Sequence, residues 1–194
     1  MISAKLVAHT TPTIAVGASN PEEFISYAAR VSNPSNQNNY DTAEGLLKYC
    51  IRNKHFSIFE MVNAVVEVKA PRDITRQMLR HRSFSFQEFS QRYSDEIGFC
   101  DREVRMQDEK NRQNSVDCTD LGLIQEWFDL LDGSIAEVKA EYINMRKAGV
   151  AKEVARVLLP EGLTMSTMYV NGTRRSLLHY LDGREGKGTQ KEHI

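Results

Sequence analysis

The sequence predicts an α/β fold of the α+β type, formed as a single domain over residues 1–194. Residues 61–70 alternate apolar and polar side chains, which is the period of a half-buried strand. Residues 120–147 instead repeat apolar side chains at helical spacing, over the longest helical pattern in the chain. A second strand is predicted at residues 163–171, and 194 residues are an ordinary length for one domain.

The elements before residue 61 are predicted from their boundary residues. A short apolar stretch at residues 5–9 predicts an opening strand. Asn20 followed by Pro21 predicts a helix start, because Asn is a preferred cap and Pro fits the first helical position. A second helix is predicted near Asp41, where Glu44 resembles the last residue of a capping box. Residues 55–60 are predicted to form a loop.

A third helix is predicted from Pro71 to Arg82, directly after the first long strand. It would place three arginines on one face, because these residues are spaced four apart: Arg72, Arg76 and Arg80. Phe84 and Phe86 follow in an alternating segment, and we expect both in the core. Residues 101–113 predict a loop or an exposed strand, and residues 111–119 a flexible linker.

The last elements follow the long helix, for which we expect a role in the scaffold or in a subunit interface. A short helix is predicted at residues 152–159, ended by Pro160. It carries Arg156 among apolar neighbours, so a buried guanidinium is expected there, with either a carboxylate or a bound phosphate as its anionic partner. Thr173 is predicted to cap the final helix.

Composition and charge exclude several classes of protein. Hydrophobic residues make up 41% of the chain and charged residues 26%, as in ordinary globular proteins. The 25 basic and 26 acidic residues argue against a strongly nucleic-acid-binding surface. The amino-terminal residues lack the pattern of a signal peptide, and no apolar run has the length of a membrane span. A cytoplasmic protein that binds no membrane is therefore expected.

The three cysteines indicate free thiols in a reducing compartment. Their number is odd, and Cys50, Cys100 and Cys118 show neither a Cys-x-x-Cys pair nor the spacing of metal ligands. We therefore predict neither a disulfide nor a metal site.

Residues 80–93 form a dense cationic stretch in which Arg and His side chains are followed by Ser-Phe steps. In a chain with a net charge of −1, this is a local anion site and not a general basic coat. The residues alone leave three interpretations open. The stretch is a solvated helix end with ion pairs, a nucleic-acid patch in which Phe stacks on bases, or a site for a phosphate-bearing cofactor or substrate.

Arg80-His81-Arg82, followed seven residues later by Ser90, resembles the signature of the flavin-dependent thymidylate synthases. Four further segments resemble that family in the same order along the chain: residues 29–32, residues 55–60, residues 153–160 and residues 175–184. The resemblance runs from about residue 20 to the carboxyl end.

The resemblance implies a mixed, largely antiparallel sheet flanked by helices, assembled as a homotetramer. It implies reductive methylation of deoxyuridylate (dUMP) to thymidylate (dTMP), with methylenetetrahydrofolate as the carbon donor. Flavin adenine dinucleotide (FAD), reduced by NADPH, would supply the hydride. No protein nucleophile is implied, and no Cys follows a proline, so the Pro-Cys nucleophile element of the other thymidylate synthase family is absent.

Site residues follow from the resemblance position by position. Those implied for the flavin are His55, Ser57, Arg80, His81, Arg82, Gln87, Glu88 and His179. Those implied for dUMP are Gln77, Arg80, Glu88, Ser90, Gln91, Arg92, Arg156 and Arg184. Those implied in catalysis are Arg184, His55 and Ser90. Arg92 and Arg156 would bind the phosphate of dUMP, and Arg184 would lie on its pyrimidine. Ser90 would not act as a nucleophile.

The chain departs from the family pattern at three places. Gln87 stands where Asn is usual, which keeps the amide but lengthens its reach. The spacing between Asn171 and Arg175 varies, so no role is assigned to Asn171. We also expect the domain to be short at its carboxyl end, where relatives continue through another helix. A catalytically inactive relative, or a nucleotide- or nucleic-acid-binding module, therefore remains an alternative.

Overall fold

The central feature of the fold is a four-stranded antiparallel sheet. A computed structural model of the chain describes residues 1–186 and 189–193. Its strands are β1 (Ser3–His9), β2 (Asn63–Pro71), β3 (Ser85–Glu88), β4 (Arg105–Gln107), β5 (Ser115–Asp117) and β6 (Met165–Thr173). The sheet order is β1-β2-β6-β3, and each of these neighbouring pairs is antiparallel. The predicted α+β fold with a largely antiparallel sheet is confirmed.

The helices lie between and after these strands. They are α1 (Pro21–Ala29), α2 (Ala43–Arg52), α3 (Arg72–Met78), α4 (Leu121–Lys147), α5 (Lys152–Ala155) and α6 (Arg174–Asp182). The predicted caps of α1 and α6 are confirmed, because the Asn20 side chain accepts from the Glu23 amide and the Thr173 side chain accepts from the Ser176 amide. The predicted long helix is confirmed as α4, which Asp120 caps.

One face of the sheet forms the main core. Val68, Met168 and Val170 of the sheet pack with Ile74 and Met78 of α3. Phe84 is buried in the same cluster and Phe86 packs against it, as predicted. Leu177 and Tyr180 of α6 also pack against this cluster, so α6 lies on the apolar face.

The other face of the sheet is polar. Glu67, Tyr169 and Gln87 share this face, because Tyr169 stands opposite Glu67 in β2 and Gln87 in β3. The Tyr169 hydroxyl donates to Glu67 Oε2 at 2.9 Å, and 42% of Tyr169 remains exposed. The predicted site residue Gln87 is also exposed on this face.

Three expectations for local structure were wrong. Helix α3 ends at Met78 and not at Arg82, because the Arg80 and His81 amides donate to carbonyls three residues back. Glu44 forms no capping box and pairs instead with Lys48 at 2.5 Å, one turn further along α2. The linker expected at residues 111–119 contains β5, which pairs with β4 as a hairpin.

Two further segments differ from expectation in their detail. The predicted loop at residues 55–60 is a 3₁₀ turn, Phe56–Met61, that packs against α6. The predicted helix at residues 152–159 is the short α5 followed by a 3₁₀ turn at Arg156–Leu158. In the part of the chain that the structure describes, no helix is long and apolar enough to cross a membrane.

Candidate anion and nucleotide site

A cationic cavity lies where α3 meets the segment after α5. Its volume is about 260 Å³, and its polar lining comprises Arg72, Arg76, Gln91, Arg156 and Glu161. Arg72 and Arg76 are one turn apart in α3, which begins directly after β2 and its Pro71. Gln91 follows β3, and Arg156 begins the 3₁₀ turn after α5. Three separate parts of the chain therefore place these groups around one volume.

The three guanidinium groups of this cavity are unequally paired. Arg72 Nη1 lies 3.8 Å from Glu88 Oε1, and Arg76 Nε donates to Glu161 Oε1. Arg156 Nε donates to the Glu153 carbonyl at 3.3 Å, and no carboxylate pairs with Arg156 among residues 1–186 and 189–193. The expectation that Arg156 is buried was wrong, because its side chain is only half-buried. Of its two expected anionic partners, a carboxylate does not pair with it in the described residues, and a bound phosphate stays a prediction.

Glu88 connects this cavity to the sheet. Its Oε1 accepts hydrogen bonds from the hydroxyls of Ser166 at 2.7 Å and Thr75 at 3.2 Å. The same oxygen faces Arg72. Glu88 therefore links Arg72 of α3 to Ser166 of β6. To bind a ligand directly, its carboxylate would have to accept from the ligand as well as from these residues.

Ser90 and Arg92 lie beside a second, smaller cavity. This cavity has a volume of about 200 Å³ and is lined by Arg92, Tyr93, Lys152 and Glu153. Arg92 Nε lies 3.2 Å from Glu153 Oε2, and both side chains are largely exposed. Ser90 Oγ accepts from the backbone amide of Arg92 at 3.3 Å, which is a turn contact and not the activation of a nucleophile.

His81 and Arg184 are in direct contact. Arg184 Nη2 lies 3.0 Å from His81 Nε2, and the Arg184 guanidinium lies 5.9 Å from the Tyr180 ring centroid. Since arginine only donates, His81 Nε2 accepts and the imidazole is neutral. Burial lowers the pKa of His81, and the charges of Arg184 and Arg80 lower it further.

Gln77 is held by residues near the carboxyl end of the chain. Its amide nitrogen donates to Gln190 Oε1 at 2.8 Å, and its Oε1 lies 3.1 Å from His193 Nδ1. His193 in turn contacts the hydroxyl of Tyr180 at 2.5 Å. His193 therefore contacts the predicted site residue Gln77, and Tyr180 contacts His193, although sequence reasoning did not single out either residue.

His55, Ser57 and His179 form a separate exposed group. His55 precedes the 3₁₀ turn that contains Ser57, and all three side chains are exposed. The ring of Phe56 lies 4.7 Å from that of His179, which joins this turn to α6. These residues share one surface, and within the described residues no hydrogen bond links them to Arg80, His81 or Arg82.

Arg80 and Arg82 are exposed on either side of His81. In the described part of the chain, neither guanidinium forms an ion pair with a carboxylate. An unpaired guanidinium presents several donors suited to phosphate oxygens. The two arginines can therefore bind an anionic group outside the chain.

The structure thus brings together only some of the predicted site residues. Gln91 and Arg156 share a cavity, and His81 contacts Arg184. Arg92 lines a different cavity, and His55, Ser57 and His179 lie apart from both. Sequence reasoning noted the helical spacing of Arg72 and Arg76 but did not assign them to the site. The spacing of these arginines together with Pro71 as the helix start was the signal that could have found them.

Two other features do not provide the candidate site. A larger cavity of about 570 Å³ lies on the apolar face of the sheet, and most of its lining is aliphatic or aromatic, so it offers few partners for a charged nucleotide. No cluster of His, Cys, Asp or Glu suited to a metal ion occurs among the residues that the structure describes. Cys50, Cys100 and Cys118 are free, as predicted.

Convergent arginines beside a recess, on an antiparallel α+β domain, are typical of the class of proteins that bind phosphate-bearing small molecules. A sequence model of the family described as "Thymidylate synthase complementing protein" matches residues 5–194. The chain belongs to this family, the flavin-dependent thymidylate synthases, and is an enzyme of the methyltransferase class.

Relatives of known name span nearly the whole chain. It is 47% identical over 194 residues to a "Probable flavin-dependent thymidylate synthase" of Paramecium bursaria Chlorella virus 1, covering 100% of this chain and 89% of the relative. It is 42% identical over 196 residues to the "Flavin-dependent thymidylate synthase" of Synechocystis sp., covering 99% of this chain and 89% of that one. The implied family resemblance is therefore confirmed.

Solved structures have the same fold. The UMP/dUMP methylase PolB from Streptomyces cacaoi, bound with 5-Br dUMP, superimposes with a TM-score of 0.80 at 28% identity. That likeness covers 100% of this chain and 85% of the other. The same methylase bound with 5-Br UMP gives a TM-score of 0.79 at 27% identity.

Proposed function

We propose that this enzyme methylates dUMP reductively to dTMP, with methylenetetrahydrofolate as carbon donor, FAD as hydride carrier and NADPH as reductant. The proposal rests on two grounds: the family to which the chain belongs and the anion-binding groups of the chain. Relatives carry the name flavin-dependent thymidylate synthase, and the structural neighbour is a UMP/dUMP methylase bound with a brominated dUMP.

The observation that carries the proposal is the cavity lined by Arg72, Arg76, Gln91 and Arg156. A nucleotide monophosphate brings a dianionic group that guanidinium donors bind well. Arg156 has no carboxylate partner in the described residues, so its charge is free to take the phosphate. Arg92 would approach the same phosphate after leaving Glu153, which holds it only by an exposed ion pair.

Gln77 and Arg184 would bind the uracil ring. Arg184 contacts His81 and Gln77 contacts His193, and the Tyr180 ring lies against both histidines. A guanidinium near a uracil carbonyl would polarise it and make the ring more electrophilic. Ser90 and His55 would contribute to catalysis as hydrogen-bonding groups and not as nucleophiles. Glu88 would act on the ligand through Arg72, which it faces.

The donor set also fits FAD. Arg80 and Arg82 are exposed without a carboxylate partner in the described residues, which suits the pyrophosphate of the cofactor. His81, Gln87 and the group of His55, Ser57 and His179 provide further donors and acceptors. When bound, FAD supplies the hydride for the methyl group, after reduction by NADPH.

A homotetramer is part of the proposal, and the surface of α4 supports it. Only Leu131 and Tyr142 of this 27-residue helix are buried within the chain. Several of its large apolar side chains remain exposed, namely Leu121, Phe128, Leu130, Ile143 and Met145. Leu121, Phe128 and Ile143 lie on one side of this helix, and a second copy that covers this side would bury them. It would also allow residues of different copies to meet at one flavin.

The structure weakens the nucleic-acid hypothesis. That hypothesis requires exposed aromatic rings on which bases can stack, but Phe84 is buried and Phe86 packs on the same core. A catalytically inactive relative is distinguished from an active enzyme by experiment.

The experiment is a visible absorption spectrum of the purified protein under anaerobic conditions. A flavin spectrum that bleaches when NADPH is added, and changes again with dUMP, would support the proposal. A protein that remains colourless after incubation with FAD would contradict it. Bound flavin that is never reoxidised by dUMP with methylenetetrahydrofolate would indicate an inactive relative.

A further inference from the structure

The 3₁₀ turn Lys191–His193 brings a buried histidine against Gln77, one of the residues proposed to bind dUMP. Only 8% of His193 is exposed, although the three residues before it are polar. The turn lies against the end of α6, where Tyr180 contacts His193, and against α3, where Gln77 does. The reaction proposed above assigns no role to either His193 or Tyr180.

With the Gln77 amide oriented as in the structure, these contacts define where the hydrogen atoms lie. Gln77 Oε1 can only accept, so His193 Nδ1, at 3.1 Å, carries the hydrogen and donates it. His193 Nε2 then accepts from the Tyr180 hydroxyl at 2.5 Å. The remaining Gln77 group, its NH₂, gives one hydrogen to Gln190 Oε1 at 2.8 Å and keeps the second available. One continuous set of hydrogen bonds therefore fixes both ends of the Gln77 amide.

The surroundings of His193 keep it neutral, as this pattern requires. Burial lowers the pKa of His193 to about 4, and the positive charge of Arg184 and the neighbouring His81 act in the same direction. Glu192 adjoins the ring in sequence, but its carboxylate is directed to Arg105, at 2.6 and 2.8 Å, and to Arg102, at 3.4 Å. These ion pairs also anchor the turn to the chain near β4.

We propose that His193 and Tyr180 are positioning residues that hold the Gln77 amide in one orientation for the uracil ring of dUMP. A glutamine amide can otherwise rotate and exchange its carbonyl and NH₂ groups. With His193 donating to the carbonyl, the unused N–H of Gln77 is the group presented to a uracil carbonyl oxygen. This inference deepens the proposed function and rests on it, because it requires dUMP to bind at Gln77.

The test is a double-mutant cycle on dUMP affinity, measured by calorimetry on the purified protein with FAD added. His193→Ala should weaken dUMP binding about tenfold, the scale of one well-placed hydrogen bond. His193→Asn should recover most of this loss, since an Asn side-chain amide can donate near the position of Nδ1. In a Gln77→Ala background, His193→Ala should change the affinity by less than about twofold, because the residue through which it acts is gone.

Two controls separate positioning from folding. Lys191→Ala alters the same turn, but its exposed ammonium pairs with Glu103, so dUMP affinity should stay within about twofold. FAD affinity and the melting temperature of each variant report on the fold. If His193→Ala does not fold, Tyr180→Phe, which removes only the hydroxyl that contacts His193, provides the cycle with Gln77→Ala.

The outcomes separate this inference from the proposed function. If His193→Ala weakens dUMP binding equally with Gln77 present and with Gln77→Ala, or does not weaken it at all, the positioning role is overturned. In either case the unmodified protein still binds dUMP. Failure of the unmodified protein to bind dUMP in the presence of FAD would overturn the proposed function itself.

Discussion

Arg184 donates a hydrogen bond to His81 Nε2 at 3.0 Å, which joins the end of α6 to the Arg-His-Arg motif across 103 residues of sequence. The contact places a permanent positive charge beside an imidazole that is already partly buried. It therefore defines both the protonation state of His81 and the location of Arg184 at the site.

The first prediction concerns this pair. Arg184→Met keeps a long side chain but removes the charge, so the pKa of His81 should rise towards its ordinary value. Burial and the charge of Arg80 remain, so the rise should be partial. NMR titration of the histidine ring nitrogens measures it, with Arg112→Met, in the turn between β4 and β5, as the control. An unchanged pKa of His81 would show that the contact does not persist in solution.

The second prediction separates the two sets of arginines. Arg156→Ala removes a charged hydrogen-bond donor from the cavity and should weaken dUMP binding about 10- to 100-fold. Deoxyuridine, which lacks the phosphate, should bind both proteins equally. Arg80→Ala should instead weaken FAD binding, as measured by flavin fluorescence. Equal losses of dUMP and deoxyuridine affinity in Arg156→Ala would place the phosphate elsewhere.

The third prediction concerns packing in β6. A Cβ atom added at Gly172 would lie 2.3 and 2.6 Å from ring atoms of Phe84, which is buried in the core. Gly172→Ala should therefore destabilise the protein by about 1 to 3 kcal/mol in chemical unfolding. Gly45→Ala is the control, because nothing lies within 4 Å of its added Cβ and alanine favours the helix α2. A Gly172→Ala protein as stable as the parent would refute this close packing.

The fourth prediction is a loss of stability in mild acid. The pKa of His193 is about 4 in the folded protein, below its usual 6.5. Between these values the unfolded chain binds a proton that the folded chain does not, so stability falls as the pH drops from about 6.5 to about 4. The full effect is at most about 3 kcal/mol.

Urea unfolding of the parent and of His193→Gln at pH 7 and pH 5 measures this effect. Glutamine does not titrate, so the variant should lose less stability between the two pH values than the parent does. Glu192 contributes equally in both proteins: burial would raise its pKa, but the hydrogen bond and charge of Arg105 and the charge of Arg102 outweigh this and lower it. Identical losses in the two proteins would contradict the low pKa of His193.

Local features were predictable from the sequence because local rules determine them. Asn20 and Thr173 cap helices, and the alternation at residues 61–70 marks the strand β2, because the determining contacts lie within a few residues. The end of α3 was not predictable in this way. After Met78 the chain leaves the helix and leads to β3. The position of β3 depends on its pairing with β6, about 80 residues later in the sequence.

The site was predictable by family resemblance more than by spacing. Spacing placed Arg72 and Arg76 on one helix face, but their partners lie far away, since Arg76 pairs with Glu161 85 residues later. His193 contacts Gln77 across 116 residues, so no local pattern identifies it. The resemblance supplied Gln91 and Arg156, and the fold then showed that they share a cavity with the two α3 arginines.

The most direct test of the proposed function is product analysis. The purified protein is incubated with dUMP, FAD, NADPH and methylenetetrahydrofolate, and the nucleotides are separated by chromatography. We predict that dTMP forms and that its formation ceases when FAD or NADPH is omitted. A protein that binds FAD and dUMP but forms no dTMP in the complete mixture would contradict the proposed function.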